Sequence, residues 1–211
     1  KSNRRVTDFV SLADLAPTFL EVAGVTIPEQ MTGRSLLNVL TSDKSGRVDR
    51  SRDHVLTGRE RHGPTQEKPN SGGYPMRAIR TDDFLYIRNF EPERYPMGVG
   101  PGYGAPAAPV PSYEDLRENT MVAFADFDAS PTKAGLVTNM DEASVRPYAE
   151  RELDQRPSEE LYDLDQDPHQ LKNLAENPEY AEEKAKLSEA LMEILTTSGD
   201  RIRFDAGGQT W

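Results

Sequence analysis

Between Glu160 and Leu164 the chain alternates polar and apolar residues, the period of a half-buried strand. Asp165–Pro168 follows as turn chemistry, because Asp bonds its own backbone and Pro168 pre-sets φ. Asn177-Pro178 reads as a helix N-cap with Pro at the first helical position. Tyr180, Leu187, Leu191 and Ile194 then recur on one helical face, and Gly199 stops a helix spanning 178–198. Near the start, Arg5–Val10 alternates as a short strand would. Ser11 with Asp14 makes a capping-box-like helix start, and Leu12, Leu15, Phe19, Leu20 and Val22-Ala23 follow helical spacing up to Gly24. Pro17 puts the beginning of the regular helix close to itself.

Asp53–Gly58 reads as a strand entering a polar loop, 59–73. Met76–Thr81 and Phe84–Phe90, joined at Thr81-Asp82-Asp83, predict a β-hairpin. Residues 92–111 are rich in Gly and Pro, and 112–157 are mixed, with room for one or two short helices. The tail from Arg201 reads as an extended surface segment.

Composition sharpens this picture in three ways. Hydrophobic residues make up only 36% of the 211, so the core is thin and the chain is expected to pack on something else. A net charge of −11 argues against a nucleic-acid face and against anionic membrane surfaces. The absence of Cys removes disulfides, thiolate metal sites and a Cys nucleophile. No run approaches a membrane span, and a start at Lys1 without Met or an apolar h-region suggests a processed product or a partial chain.

Several stretches carry a resemblance. Glu159–Pro178 (EELYDLDQDPHQLKNLAENP), Val10–Val25 (VSLADLAPTFLEVAGV), Met31–Leu37 (MTGRSLL) and Tyr74–Phe90 (YPMRAIRTDDFLYIRNF) resemble, in order, segments of the sulfatase family. Together with Leu56–Gly63 (LTGRERHG), they look closest to the branch of heparan N-sulfatase-like enzymes. The resemblance implies an alkaline-phosphatase-type α+β arrangement. Residues 1–58 would end the large α/β domain, and 59–211 would form a C-terminal subdomain with a small antiparallel sheet, a long insertion at 92–157 and a C-terminal helix.

It also implies a parent enzyme that hydrolyses sulfuric esters or sulfamates on sulfated sugars, using formylglycine beside calcium, in the periplasm or secreted. The hard cation and Lys/Arg groups of such a site neutralise sulfate oxygens. The modification motif, Cys or Ser then x-Pro-x-Arg, is absent from this chain. By resemblance the nucleophile and metal ligands lie upstream, in the N-terminal catalytic portion of the same sulfatase. This chain alone is expected to be inactive, with no catalytic residue and no metal ligand of its own. Two other readings remain: a stand-alone carbohydrate-binding or interaction module, and part of a phosphoryl or phosphonate hydrolase.

For substrate contact, Arg59, Glu60, Arg61 and His62 gather ionisable groups just after a strand. Carboxylates suit sugar hydroxyls and cations suit sulfate, whereas a solvated charged turn needs neither. In the resembling enzymes this loop faces the substrate pocket. Arg77, on the first hairpin strand, faces either the pocket or a surface carboxylate. His54 and His169 read as structural. Asp163, Asp165 and Asp167 have a calcium-loop look, but Pro168 and Leu174 stand where an EF-hand needs Gly and Glu, so they are scaffold.

Overall fold

The computed structural model of the chain describes residues 3–59, 73–105 and 107–200. Its helices are α1 (Leu15–Val22), α2 (Leu37–Thr41), α3 (Tyr113–Glu118), α4 (Pro131–Thr138), α5 (Arg146–Leu153) and α6 (Ala181–Thr197). Its strands are β1 (Val55–Arg59), β2 (Met76–Arg80), β3 (Phe84–Asn89), β4 (Gly100–Pro101), β5 (Gly104–Ala105) and β6 (Glu159–Asp163). Four strands form one small antiparallel sheet in the order β1-β2-β3-β6, while β4 and β5 pair separately. Thr81 N donates to Phe84 O (2.9 Å) and Phe90 N to Pro75 O (3.0 Å), which fixes the register of the expected hairpin. On its far edge, Asn89 N donates to Ser158 O (2.9 Å) and Leu164 N to Asp83 O (2.7 Å), so β6 runs antiparallel to β3.

Two compact units share the chain: Lys1–Thr57, Ala78–Tyr86 and Leu161–Gly199 form the first, and Gly58–Arg77, Ile87–Glu160 and Asp200–Trp211 the second. In the first, the expected capping box is present. Ala13 N donates to Ser11 Oγ (3.2 Å) and Ser11 N to Asp14 Oδ2 (3.1 Å), starting a 3₁₀ turn, Leu12–Asp14, that runs into α1. Pro17 falls in the first turn of α1, where no intrahelical bond is lost. The expected strand at Arg5–Val10 shrinks to a single parallel bridge between Val6 and Gly46. The reason is local: the Asp8 carboxylate takes the amides of Val48 (2.8 Å) and Asp49 (2.6 Å), groups a strand ladder would otherwise use.

An apolar helical stripe ordinarily marks the face turned to the core. In α1 the sides are exchanged. Asp14, Pro17 and Thr18 are buried, while Leu12, Leu15, Phe19 and Val22 face outward. By contrast α6 turns Leu187, Leu191 and Leu195 inward, one residue beyond the expected Ile194, and Tyr86 donates to Ser188 on it (3.1 Å).

The Glu159–Pro178 segment folds on its own hydrogen bonds. The Asp163 carboxylate accepts from Asp165 N (3.1 Å) and Gln166 N (3.0 Å), and that of Asp167 from Leu171 N (2.7 Å) and Lys172 N (2.8 Å). Asn173 Oδ1 accepts from Leu161 N (2.9 Å) and Ala175 N (3.0 Å), and Asn177 caps Glu179 N (3.1 Å).

The second unit holds more regular structure than the composition of 112–157 suggests. Helices α3, α4 and α5 bury Leu116, Phe124, Ala134, Val137, Ala149 and Leu153 in one cluster. Ser112 and Ser130 cap α3 and α4. Lys133 is fully buried and donates to the carbonyls of Thr120 (2.8 Å), Phe124 (3.3 Å) and Phe127 (2.9 Å), pinning the 120–127 turn to α4. Burial holds its ammonium below the ordinary lysine range, opposed by the Asp128 carboxylate.

Candidate functional site

Of the five residues expected to touch substrate, Arg59 and Arg77 are described; Glu60, Arg61 and His62 lie outside the described residues. Arg59 ends β1 and Arg77 sits on neighbouring β2, so adjacent strands bring the two arginines together in the second unit. The Arg77 guanidinium donates to the Arg59 carbonyl (3.2 Å) and to Met76 O (2.9 Å). Its Nε meets Asp200 Oδ2 at 2.8 Å and its NH2 meets Oδ1 at 3.3 Å, a two-point carboxylate contact. Gly58 makes room for this side chain: a Cβ there would stand 2.8 Å from Arg77 Cδ.

Arg59 reaches the other way. Its NH2 donates to the buried Asp126 carboxylate and to Pro96 O (3.1 Å), and its NH1 lies 4.0 Å from Met97 sulfur. Asp126 belongs to the segment just beyond the turn that Lys133 holds, and its own amide donates to Met97 O (3.2 Å). The result is two arginines, each with a carboxylate partner and each retaining some exposure. Such a pair is oriented in advance for an anionic group, with its charge partly offset. Asp126 and Asp200 were not found by sequence reading. They lie 67 and 123 residues from the arginines they meet, beyond any local spacing signal.

The first unit contains a cavity of about 230 Å³ lined by Ser11, Asp14, Arg34, Arg52 and His54 among others. Its charged groups are engaged within the fold. Arg52 bonds Asp14 (2.8 Å) and the carbonyls of Arg34 and Ser35 (2.8 Å each), and Arg34 donates to Ser51 Oγ (3.0 Å). Burial pushes the Asp14 carboxyl upward, but the amides of Arg34 and Ser11 and the Arg52 guanidinium outweigh it and hold it below the ordinary value. His54 Nδ1 contacts Asp53 at 2.7 Å. His169 stands exposed in its turn. Arg88, on β3, lies 3.5 Å from Glu159 across to β6.

The residues here do not fit the calcium and formylglycine centre implied for the parent enzyme. Among the described residues no three His, Asp or Glu side chains converge as a metal site, and the chain contains no Cys. Among the described residues no helix is long and apolar enough to cross a membrane.

The family model described as N-sulphoglucosamine sulphohydrolase, C-terminal, matches residues 1–62. An ulvan-active sulfatase of Formosa agariphila is 29% identical over 192 residues, covering 90% of this chain and 26% of that protein. The N-sulphoglucosamine sulphohydrolase of Homo sapiens is 26% identical over 183 residues, covering 82% of this chain and 30% of that protein. Among solved structures, a protein bound to its substrate D-glucosamine-2-N,6-O-disulfate superposes with a TM-score of 0.50 at 19% identity, over 93% of this chain and 25% of that one. This last likeness is one of fold. The chain thus spans between a quarter and a third of the curated relatives it matches.

Proposed function

Because the chain is the C-terminal portion of a sulfatase, related to the heparan N-sulfatase-like enzymes, we propose that it completes a longer hydrolase acting on sulfated sugars and forms one wall of its substrate pocket. The observation that carries this reading is the match to sulfatases along 90% of the chain but only 26% of the relative's length. Relatives named for ulvan and for N-sulphoglucosamine support a sulfated-sugar substrate, cleaved as ester or sulfamate. Residues 1–58 end the large α/β domain in this reading, and 59–211 are the closing subdomain. An exported location, periplasmic or secreted, goes with the same resemblance. When bound, calcium and formylglycine supply the nucleophile and the charge neutralisation, both from the upstream portion.

This chain's own residues then bind and orient. Arg59 and Arg77, braced by Asp126 and Asp200, present cations beside the 60–62 segment, and Glu60, Arg61 and His62 add hydroxyl and sulfate contacts. The test assays the intact protein, upstream residues included, on sulfated sugars and on phosphate esters. Sulfate release is expected, with kcat/KM reduced about tenfold or more, roughly 1.4 kcal/mol, in Glu60→Ala, His62→Ala and Arg77→Ala. Unchanged kinetics in all three variants would refute pocket contact. Cleavage of phosphate esters alone would assign the protein to the related phosphoryl hydrolases, and sugar binding without any hydrolysis would favour a binding module.

A further inference from the structure

The exchanged faces of α1 point to a surface that is covered in the intact enzyme. Leu12, Leu15, Phe19 and Val22 stand 86%, 41%, 68% and 65% exposed, whereas Asp14 and Thr18 are 5% and 4% exposed. The apolar residues recur at intervals of three and four, so they form one stripe rather than scattered positions. Val10, Val25 and Met31, close by in sequence, are exposed as well. Contiguous apolar surface of this kind on a soluble chain marks a contact site.

The polar face cannot exchange places with it, because its groups are committed. Asp14 accepts from the amides of Ser11 (3.1 Å) and Arg34 (2.8 Å) and from the Arg52 guanidinium (2.8 Å). Thr18 donates to Asp14 O (2.6 Å) and accepts from Leu36 N (2.8 Å). Rolling the helix to bury its stripe would leave these partners unmet in the interior. The orientation is therefore fixed by hydrogen bonds, and the stripe is left for another surface.

We propose that the Leu12–Val22 stripe is the seam on which this C-terminal portion packs, within one polypeptide, against an apolar face of the preceding part of the enzyme. This rests on the reading of the chain as the closing part of a longer sulfatase. Two observations choose that occupant over a second copy of the chain. The curated relatives that match are three to four times longer than the matched region, at 26% and 30% coverage. The stripe also lies inside the segment, residues 1–62, that matches a C-terminal family model, so in those relatives other chain precedes it.

Cysteine protection tests the proposal in the intact protein. Phe19→Cys, Val22→Cys and Glu21→Cys are made singly and treated with N-ethylmaleimide, and the modified α1 peptide is followed by mass spectrometry. Glu21 is exposed on the other side of α1 and serves as the internal reference. Labelling at positions 19 and 22 is expected to be at least tenfold slower than at 21, at every protein concentration. Equal rates at all three positions overturn the proposal. So does protection that vanishes on dilution together with a dimer mass, which assigns the stripe to a second copy. Positions 19 and 22 are independent reporters, so loss of folding in one variant leaves the other decisive. The readout needs no substrate: protection in a protein without sulfatase activity keeps the seam and sinks the functional reading, and fast labelling in an active sulfatase does the reverse.

Discussion

Arg52 NH1 meets Asp14 Oδ2 at 2.8 Å with only 2% and 8% of the two side chains exposed. The same guanidinium takes the carbonyls of Arg34 and Ser35, so one side chain closes the turn before α1 onto the loop that follows it. A buried pair of this type is weak evidence of net stability, but removing one partner strands the other. Arg52→Met is expected to lower unfolding stability by about 3–5 kcal/mol, read as a fall in the urea midpoint at constant slope. A change below about 1 kcal/mol would mean that water reaches Asp14 and replaces the arginine.

Acid sensitivity follows from two carboxylates. At Asp8, as at Asp14, burial acts to raise the carboxyl, and the backbone amides it accepts outweigh that, so both titrate below the ordinary value of 3.8. The folded state then binds fewer protons than the unfolded state between the lowered and ordinary values. Their contribution to stability is present above about pH 4 and is lost as pH falls through the lowered folded values. Urea titrations from pH 6 to pH 2 are expected to be flat and then to decline, and Asp8→Asn and Asp14→Asn should each flatten that decline.

Glycines at two positions should respond in opposite directions. A Cβ on Gly33 would stand 2.0 Å from the Ala13 carbonyl oxygen, and both are backbone, so neither can swing aside. Gly33→Ala is expected to cost about 3 kcal/mol or more, at the top of the overpacking range. Gly135, inside α4, would meet nothing within 4 Å. Gly135→Ala should stabilise by about 0.5–1 kcal/mol through helix propensity. Thermal melts of the two variants give the comparison directly.

Lys133→Met keeps the length and apolar stem of the side chain but removes the donors to Thr120, Phe124 and Phe127. With those carbonyls left buried, a loss of about 2–3 kcal/mol is expected in urea unfolding. Because the held segment carries Asp126, the same variant should raise amide exchange across residues 120–127. Exchange unchanged from the native chain would show that the turn is held by something other than this lysine.

Features whose causes lie within a few residues were legible in the sequence. The hairpin at Thr81–Phe84, the Ser11 capping box and the Asn177 cap all appear as read, because turn and cap chemistry is local. The spacing of Leu12, Leu15, Phe19 and Val22 revealed a helix, yet periodicity carries no information about which side has neighbours. That was decided by Arg52, 38 residues away from Asp14. Likewise 112–157 hid a helical core, because its small residues, such as Ala134 and Ala149, pack only once α3, α4 and α5 meet. Arg59 and Arg77 were visible as candidates, whereas Asp126 and Asp200, which brace them, become neighbours only on folding.

The Glu159–Pro178 segment satisfies its own backbone through Asp163, Asp167, Asn173 and Asn177. A stretch that needs so little from its surroundings is a natural heirloom. An enzyme lineage can move to a new sugar by altering the loop after β1 while passing this clip on with its wording intact. Its letters therefore trace ancestry, and the history of diet is written elsewhere, in the residues that follow Arg59.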